Sequence, residues 1–112
     1  IIFETRSVNA AYSVITEAEL WAGIIRFRTE KQHILMLRPF QRYFVNVSIA
    51  QRSGQLLALI RSQNARGTSL PGLTDCIIAA TAEYYDLTVY TRNSKHFAHF
   101  TNYGIKTKFY TV

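Results

Sequence analysis

The sequence predicts an α/β sandwich built on a mainly parallel sheet. Three observations carry that expectation. Short runs of strand formers alternate with longer stretches of helical periodicity, the pattern of strands joined by helical crossovers. The 112 residues suffice for one domain with a core of its own. Hydrophobic residues make up 48% of the chain and charged residues 18%, a balance that excludes a disordered chain.

The elements follow in order. Residues 1–10 open on Ile1, Ile2 and Phe3, followed by Glu4 and Arg6, and read as a loop or the tail of a helix. Residues 11–15 (Ala-Tyr-Ser-Val-Ile) form a strand-like run. Thr16 to Glu19 has the capping-box form S/T-x-x-E, so a helix is expected from about Glu17, with Leu20, Trp21, Ile24 and Ile25 on one face. A second helical pattern covers about 31–43, through Ile34, Leu35, Leu37 and Phe40, broken near Arg38 by Pro39. Residues 44–47 read as a short strand, with Ser48 as the cap of a helix over 49–62. A loop from Gln63 to Ser69 leads through Pro71 and Gly72 to Thr74, the expected cap of the most apolar helix, 75–85. Residues 87–90 form a compact strand, 95–100 a short helix and 106–112 a last strand.

Composition narrows the function. The single cysteine, Cys76, excludes a disulfide framework and any cysteine-cluster zinc site, and reads as a small core residue. No apolar run reaches the ~20 residues of a membrane helix, and the start is not a signal peptide, so the expected location is the cytoplasm. Thirteen Lys and Arg against seven Asp and Glu give a net charge of +6. Such a domain suits nucleic acid, an acidic protein or a membrane surface, and a merely solvated basic surface has about even weight.

Glu17 and Glu19 follow the first strand run, Asp75 interrupts an apolar stretch, and Asn93 follows the strand ending at Tyr90. In a parallel sheet such positions share one edge, where ligands bind. Carboxylates with an amide suit a hard cation such as Mg²⁺ or Mn²⁺. A metal of this kind activates water and stabilises charge developing on a phosphodiester. Each residue also has a plainer role. Glu19 completes the capping box, Asp75 favours the positive end of its helix, and Asn93 makes a turn. The apolar setting of Asp75 weighs most against the plain role, because a buried unpaired carboxylate is costly.

The stretch from Ser13 to Gly23, SVITEAELWAG, resembles the SVIT-x-x-EL-x-x-G motif of PIN-domain proteins, in particular the VapC-like ribonuclease toxins. The stretches LPGLTDCIIAATA, from Leu70 to Ala82, and LTVYTRNSKHF, from Leu87 to Phe97, resemble two further motifs of that family. They occur in family order and cover about residues 11–100. The resemblance implies a three-layer sandwich with a parallel sheet between helices, Mg²⁺- or Mn²⁺-dependent endoribonuclease activity on RNA, a cognate antitoxin protein and a homodimer. Carried over residue by residue, it implies Glu19, Asp75 and Asn93 as metal ligands and catalytic residues, with Thr91 supporting them; Glu17 falls at a variable position. Arg66, Arg92 and Lys95 flank these motifs and are expected to hold RNA phosphates.

One departure stands out. The family opens with a strand carrying D-T/S and further helices, whereas this chain has about a dozen residues there and no Asp before Asp75. The whole chain, 1–112, therefore reads as a single PIN-like domain lacking that strand and those helices. A gap is expected in mid-sheet, filled either by a strand that lies outside this sequence or by another copy or a partner. A catalytically inactive PIN-like RNA-binding or regulatory domain is the second reading. A receiver-type α/β domain ranks last, because it needs an early acidic pair and a late Lys. His33, His96 and His99 rank below the acids as general bases. Tyr84, Tyr85, Phe97 and Phe100 are expected in the core, and Leu20 and Trp21 at a subunit interface.

Overall fold

The computed structural model describes residues 1–4, 10–23, 32, 35, 40–64 and 69–110. It is an α/β domain with a five-stranded mixed sheet. The strands are β1 (Ile2–Glu4), β2 (Ala10–Ser13), β3 (Gln41–Tyr43), β4 (Thr88–Thr91) and β5 (Thr107–Phe109). Helices among the described residues include α1 (Val14–Gly23), α2 (Val47–Gln63), α3 (Leu73–Tyr85) and α4 (Ser94–Thr101).

The strand order is β3-β2-β1-β4-β5. β2 pairs with β3 and β4 with β5 in parallel, while β1 runs antiparallel to both β2 and β4. The mainly parallel sheet is thus corrected to a mixed one. The expected mid-sheet gap is also corrected, because Ile2–Glu4 lies between β2 and β4, with Ile2 opposite Tyr90 and Phe3 opposite both Val89 and Ala11. Phe3 supplies the anchor: it is 1% exposed and joins the core cluster of α2, α3, β4 and α4. Fully burying such a side chain contributes about 1.5–3 kcal/mol. That gain, with backbone bonds on both edges, makes a strand where a loop or helix tail is expected.

α1 begins at Val14 rather than Glu17. The Ser13 hydroxyl accepts the Ile15 N–H at 3.1 Å and starts the helix early. The Thr16 hydroxyl then cannot cap; it donates to the Ile1 carbonyl at 3.2 Å and ties α1 to β1. Residues 41–43 form strand β3 rather than helix, and 44–47 form no strand. Arg42 reaches back from β3 to the Glu17 carboxylate at 2.8 Å and the Tyr12 hydroxyl at 3.3 Å. Asn46, not Ser48, caps α2 by accepting the Ile49 N–H at 2.8 Å. Residues 31 and 33–34 and 36–39 of the expected second helix, with Ile24 and Ile25, lie outside the described residues.

α3 is apolar nearly all round and, among the described residues, packs against α1, α2 and α4. Cys76, Ile78, Ala79, Ala80, Thr81 and Ala82 are buried on it, opposite Ile49, Leu56 and Ile60 of α2. Buried Thr81 and Ser53 donate to the carbonyls four residues earlier, both at 2.7 Å, so neither hydroxyl is left unpaired. Arg52 adds a forked ion pair from α2 to Glu83 on α3 at 2.8 and 3.1 Å. α3 starts after Gly72 rather than Thr74, and ends on Asp86, whose left-handed backbone (φ 55°) donates its N–H to the last turn. Phe97 and Phe100 are buried as expected, with rings 5.2 Å apart, whereas Tyr84 and Tyr85 are exposed and leave the core. Cys76 is buried, and burial pushes its thiol up to about 11. Among the described residues no helix is long and apolar enough to cross a membrane.

Candidate functional site

Because β1 is antiparallel to both β2 and β4, these two strands run the same way and end at one edge of the sheet. At that edge the chain turns from β2 into α1, which carries Glu19, and from β4 through Thr91, Arg92 and Asn93 into α4. Asp75 joins them from the first turn of α3, which packs against both α1 and α4.

The two carboxylates sense each other. Glu19 is held above the ordinary carboxylate value, first by partial burial and then by the negative charge of Asp75. Glu19 as a residue remains exposed, so water still reaches it and the burial is incomplete. Among the described residues no hydrogen bond or ion pair secures its carboxylate.

Asp75 is secured. Its side chain is 16% exposed, and its Oδ2 lies 3.2 Å from His96 Nδ1. Asn93 caps α4: its Oδ1 accepts the His96 N–H at 3.3 Å, and its Nδ2 lies 3.2 Å from His96 Nδ1. Thr91 is buried, and its hydroxyl accepts the Asn93 N–H at 3.1 Å, fixing the turn that presents Asn93. His96 also reaches Ser69, with Nε2 3.0 Å from the hydroxyl.

Glu19 and Asp75 therefore meet electrostatically, while Asn93 adjoins Asp75 through His96 and has its side-chain oxygen engaged in capping. Glu17 goes elsewhere, to Arg42. Arg92 is exposed and lines an open depression of about 320 Å³ with Ile1, Thr91, Asn93 and Tyr110; neither carboxylate lines it. Lys95 is exposed on the first turn of α4. Arg66 and His33 lie outside the described residues. Among the described residues no three His, Cys, Asp or Glu side chains cluster as a metal-binding group. Two carboxylates still offer hard oxygen donors, and a cation would favour the Glu19 anion against the partial burial and the Asp75 charge that raise its carboxyl.

Sequence reasoning placed His96 low, yet its ring touches Asp75, Asn93 and Ser69 together. Its spacing three residues beyond Asn93, one helical turn, was the available signal.

No protein-family model matches the chain, and neither does any curated protein. Among solved structures, the chain is similar to one from a toxin–antitoxin complex from Klebsiella pneumoniae, at 31% identity and a TM-score of 0.60. The match covers 77% of this chain and 64% of the other, so this chain spans somewhat less than two thirds of that neighbour.

Proposed function

We propose that this chain carries the catalytic carboxylates of a toxin-type endoribonuclease that uses Mg²⁺ or Mn²⁺ and is held in check by an antitoxin. The carrying observation is placement: α1, which bears Glu19, follows β2 at the edge where β2 and β4 both end, and packs against α3, whose first turn bears Asp75. The Glu19 carboxyl, raised first by partial burial and then by the Asp75 charge, agrees with it. Two acids from separate helices crowd one sheet edge in a chain whose net charge is +6. A partly buried carboxyl raised by burial and by a neighbouring acid is a feature shared by many functional sites. The similarity to a chain of a toxin–antitoxin complex supports the toxin–antitoxin part of this reading.

In this reading Glu19 and Asp75 hold the cation, with Asn93 beside them. The bound cation supplies Lewis acidity and an activated water for phosphodiester hydrolysis. Thr91 keeps the Asn93 turn in place through its hydroxyl. Arg92 and Lys95, both exposed next to Asn93, bind backbone phosphates. Trp21, Phe44, Val47, Leu73 and Tyr84 are each exposed, and apolar side chains of this kind are what a protein partner, antitoxin or second copy, would cover.

The test is cleavage of mixed single-stranded RNA by the full chain with Mg²⁺, with and without a chelator. Cleavage that disappears with the chelator and in both Asp75→Ala and Glu19→Ala supports the reading. Cleavage indifferent to Asp75 overturns it, and RNA binding without any cleavage leaves the non-catalytic PIN-like role.

A further inference from the structure

We propose that His96 is the positioning residue of this site: its ring orients the Asp75 carboxylate, and Ser69 selects the tautomer in which it does so. The inference rests on Asp75 acting as a ligand, as proposed above.

His96 stands on the first turn of α4 and joins three segments. Its Nδ1 is 3.2 Å from Asp75 Oδ2 on α3, and its Nε2 is 3.0 Å from the Ser69 hydroxyl in the loop before α3. One turn further along α4, His99 Nε2 lies 3.3 Å from the Ser69 carbonyl. That carbonyl can only accept, so His99 donates and pins Ser69 in place.

The tautomer follows from what each neighbour can do. An ionised carboxylate only accepts, so Asp75 requires the proton on Nδ1. Nε2 then carries the lone pair, and the Ser69 hydroxyl donates to it. Asn93 Nδ2, 3.2 Å from Nδ1, would favour the opposite tautomer. A hydrogen bond to a charged acceptor is about twice as strong as one between neutral groups, so Asp75 wins. Asn93 keeps its capping bond through Oδ1 in either case.

This arrangement commits Oδ2 of Asp75 to the imidazole and leaves Oδ1 as the oxygen available to a cation. Removing partners that orient metal ligands costs about 10–100-fold in metal affinity. Asp75, held this way, is a prepared donor before any ligand arrives.

The experiment has two arms on the full chain. In the first, long-range ¹⁵N–¹H NMR at pH 8, above the ordinary imidazole range near 6.5, reads the His96 tautomer without metal. The expected pattern is Nδ1–H, shifting toward Nε2–H in Asp75→Ala and in Ser69→Ala. In the second, calorimetry follows Mn²⁺ binding while thermal unfolding is monitored in parallel. His96→Leu is expected to weaken Mn²⁺ by about tenfold or more. His96→Asn, which can place an amide N–H near the Nδ1 position, is expected to recover most of that loss. A merely structural histidine would lower thermal stability in both variants without separating their Mn²⁺ affinities. An Nε2–H ring in the unmodified chain overturns the proposal, as does a folded His96→Leu that binds Mn²⁺ unchanged. Should His96→Leu fail to fold, Ser69→Ala and His96→Asn decide in its place. Absence of Mn²⁺ binding in the unmodified chain would instead defeat the reading of Asp75 as a ligand, and the ring pattern alone would still decide whether Asp75 and Ser69 set the tautomer.

Discussion

Asp75 and Glu19 bear the same chemical group and are built into the fold in opposite ways. Asp75 sits on the buried helix α3 and is gripped by His96, which Ser69 and Asn93 hold in turn. Glu19 stands on α1, exposed, with no such grip among the described residues, and its carboxyl is raised by partial burial and by Asp75. The contrast teaches that one carboxylate of a pair can be fixed by hydrogen bonds while the other is left to respond to charge. A secured acid gives geometry. An unsecured one with a destabilised anion gives a reason to attract a cation.

Removing the secured acid should have the largest effect. Asp75→Ala is expected to lower single-turnover RNA cleavage about a thousandfold, equivalent to about 4 kcal/mol of transition-state stabilisation. An Asp75→Ala rate no lower than that of Glu19→Ala would erase the contrast.

Arg92→Glu comes next. RNA binding measured without metal is expected to weaken about tenfold, about 1.4 kcal/mol, with a shallower dependence on salt. An unchanged salt slope would make Arg92 an ordinary surface charge.

Asn93→Ala removes the cap of α4, whose first turn carries His96. A loss of about 1 kcal/mol in urea unfolding is expected. The sharper outcome is a loosening confined to the Asp75 corner, read as faster amide exchange at the start of α4 with α1 unaffected.

The smallest effect is a matter of pH. Glu19 binds its proton more tightly in the folded chain than in the unfolded one, because its value is raised above 4.5. Protons are then released on unfolding, so this residue's contribution is most favourable below about pH 4.5 and is lost as pH rises through the folded value. Glu19→Gln should remove that decline from a series of urea unfolding curves begun at pH 4. Asp75→Asn should reduce it, since the Asp75 charge is one of its causes.

Much of the local structure was legible because it depends on neighbours in sequence. The run from Ile77 to Ala82 reads as helix from its composition, and α3, α2 and α4 fall within a few residues of their expected spans. The strand expected over 87–90 appears one residue later. β3 is not legible locally, because Gln41 and Arg42 carry no strand signal and Tyr43 alone is too short a run; the strand exists by pairing in parallel with β2. Phe44 and Val47 looked like strand yet are exposed, at 63% and 74%. Of the candidate site, Glu19, Asp75, Thr91 and Asn93 stand out in the sequence by the motifs that contain them. The part played by His96 was not, because Asp75 lies 21 residues away and Ser69 lies 27.

The amino-acid sequence by itself determined the class of the fold, the buried character of α3, the absence of a cysteine framework and the basic balance. These follow from composition and from periodicities of a few residues, which the chain expresses locally. Tertiary structure decided the rest. It placed Ile2–Glu4 antiparallel in the middle of the sheet, because Phe3 gains burial there and both backbone edges find partners. It also decided which carboxylate is held and which is exposed. Packing α3 against α4 brings Asp75 within reach of the His96 ring, and no local pattern encodes a contact between side chains that far apart in the chain.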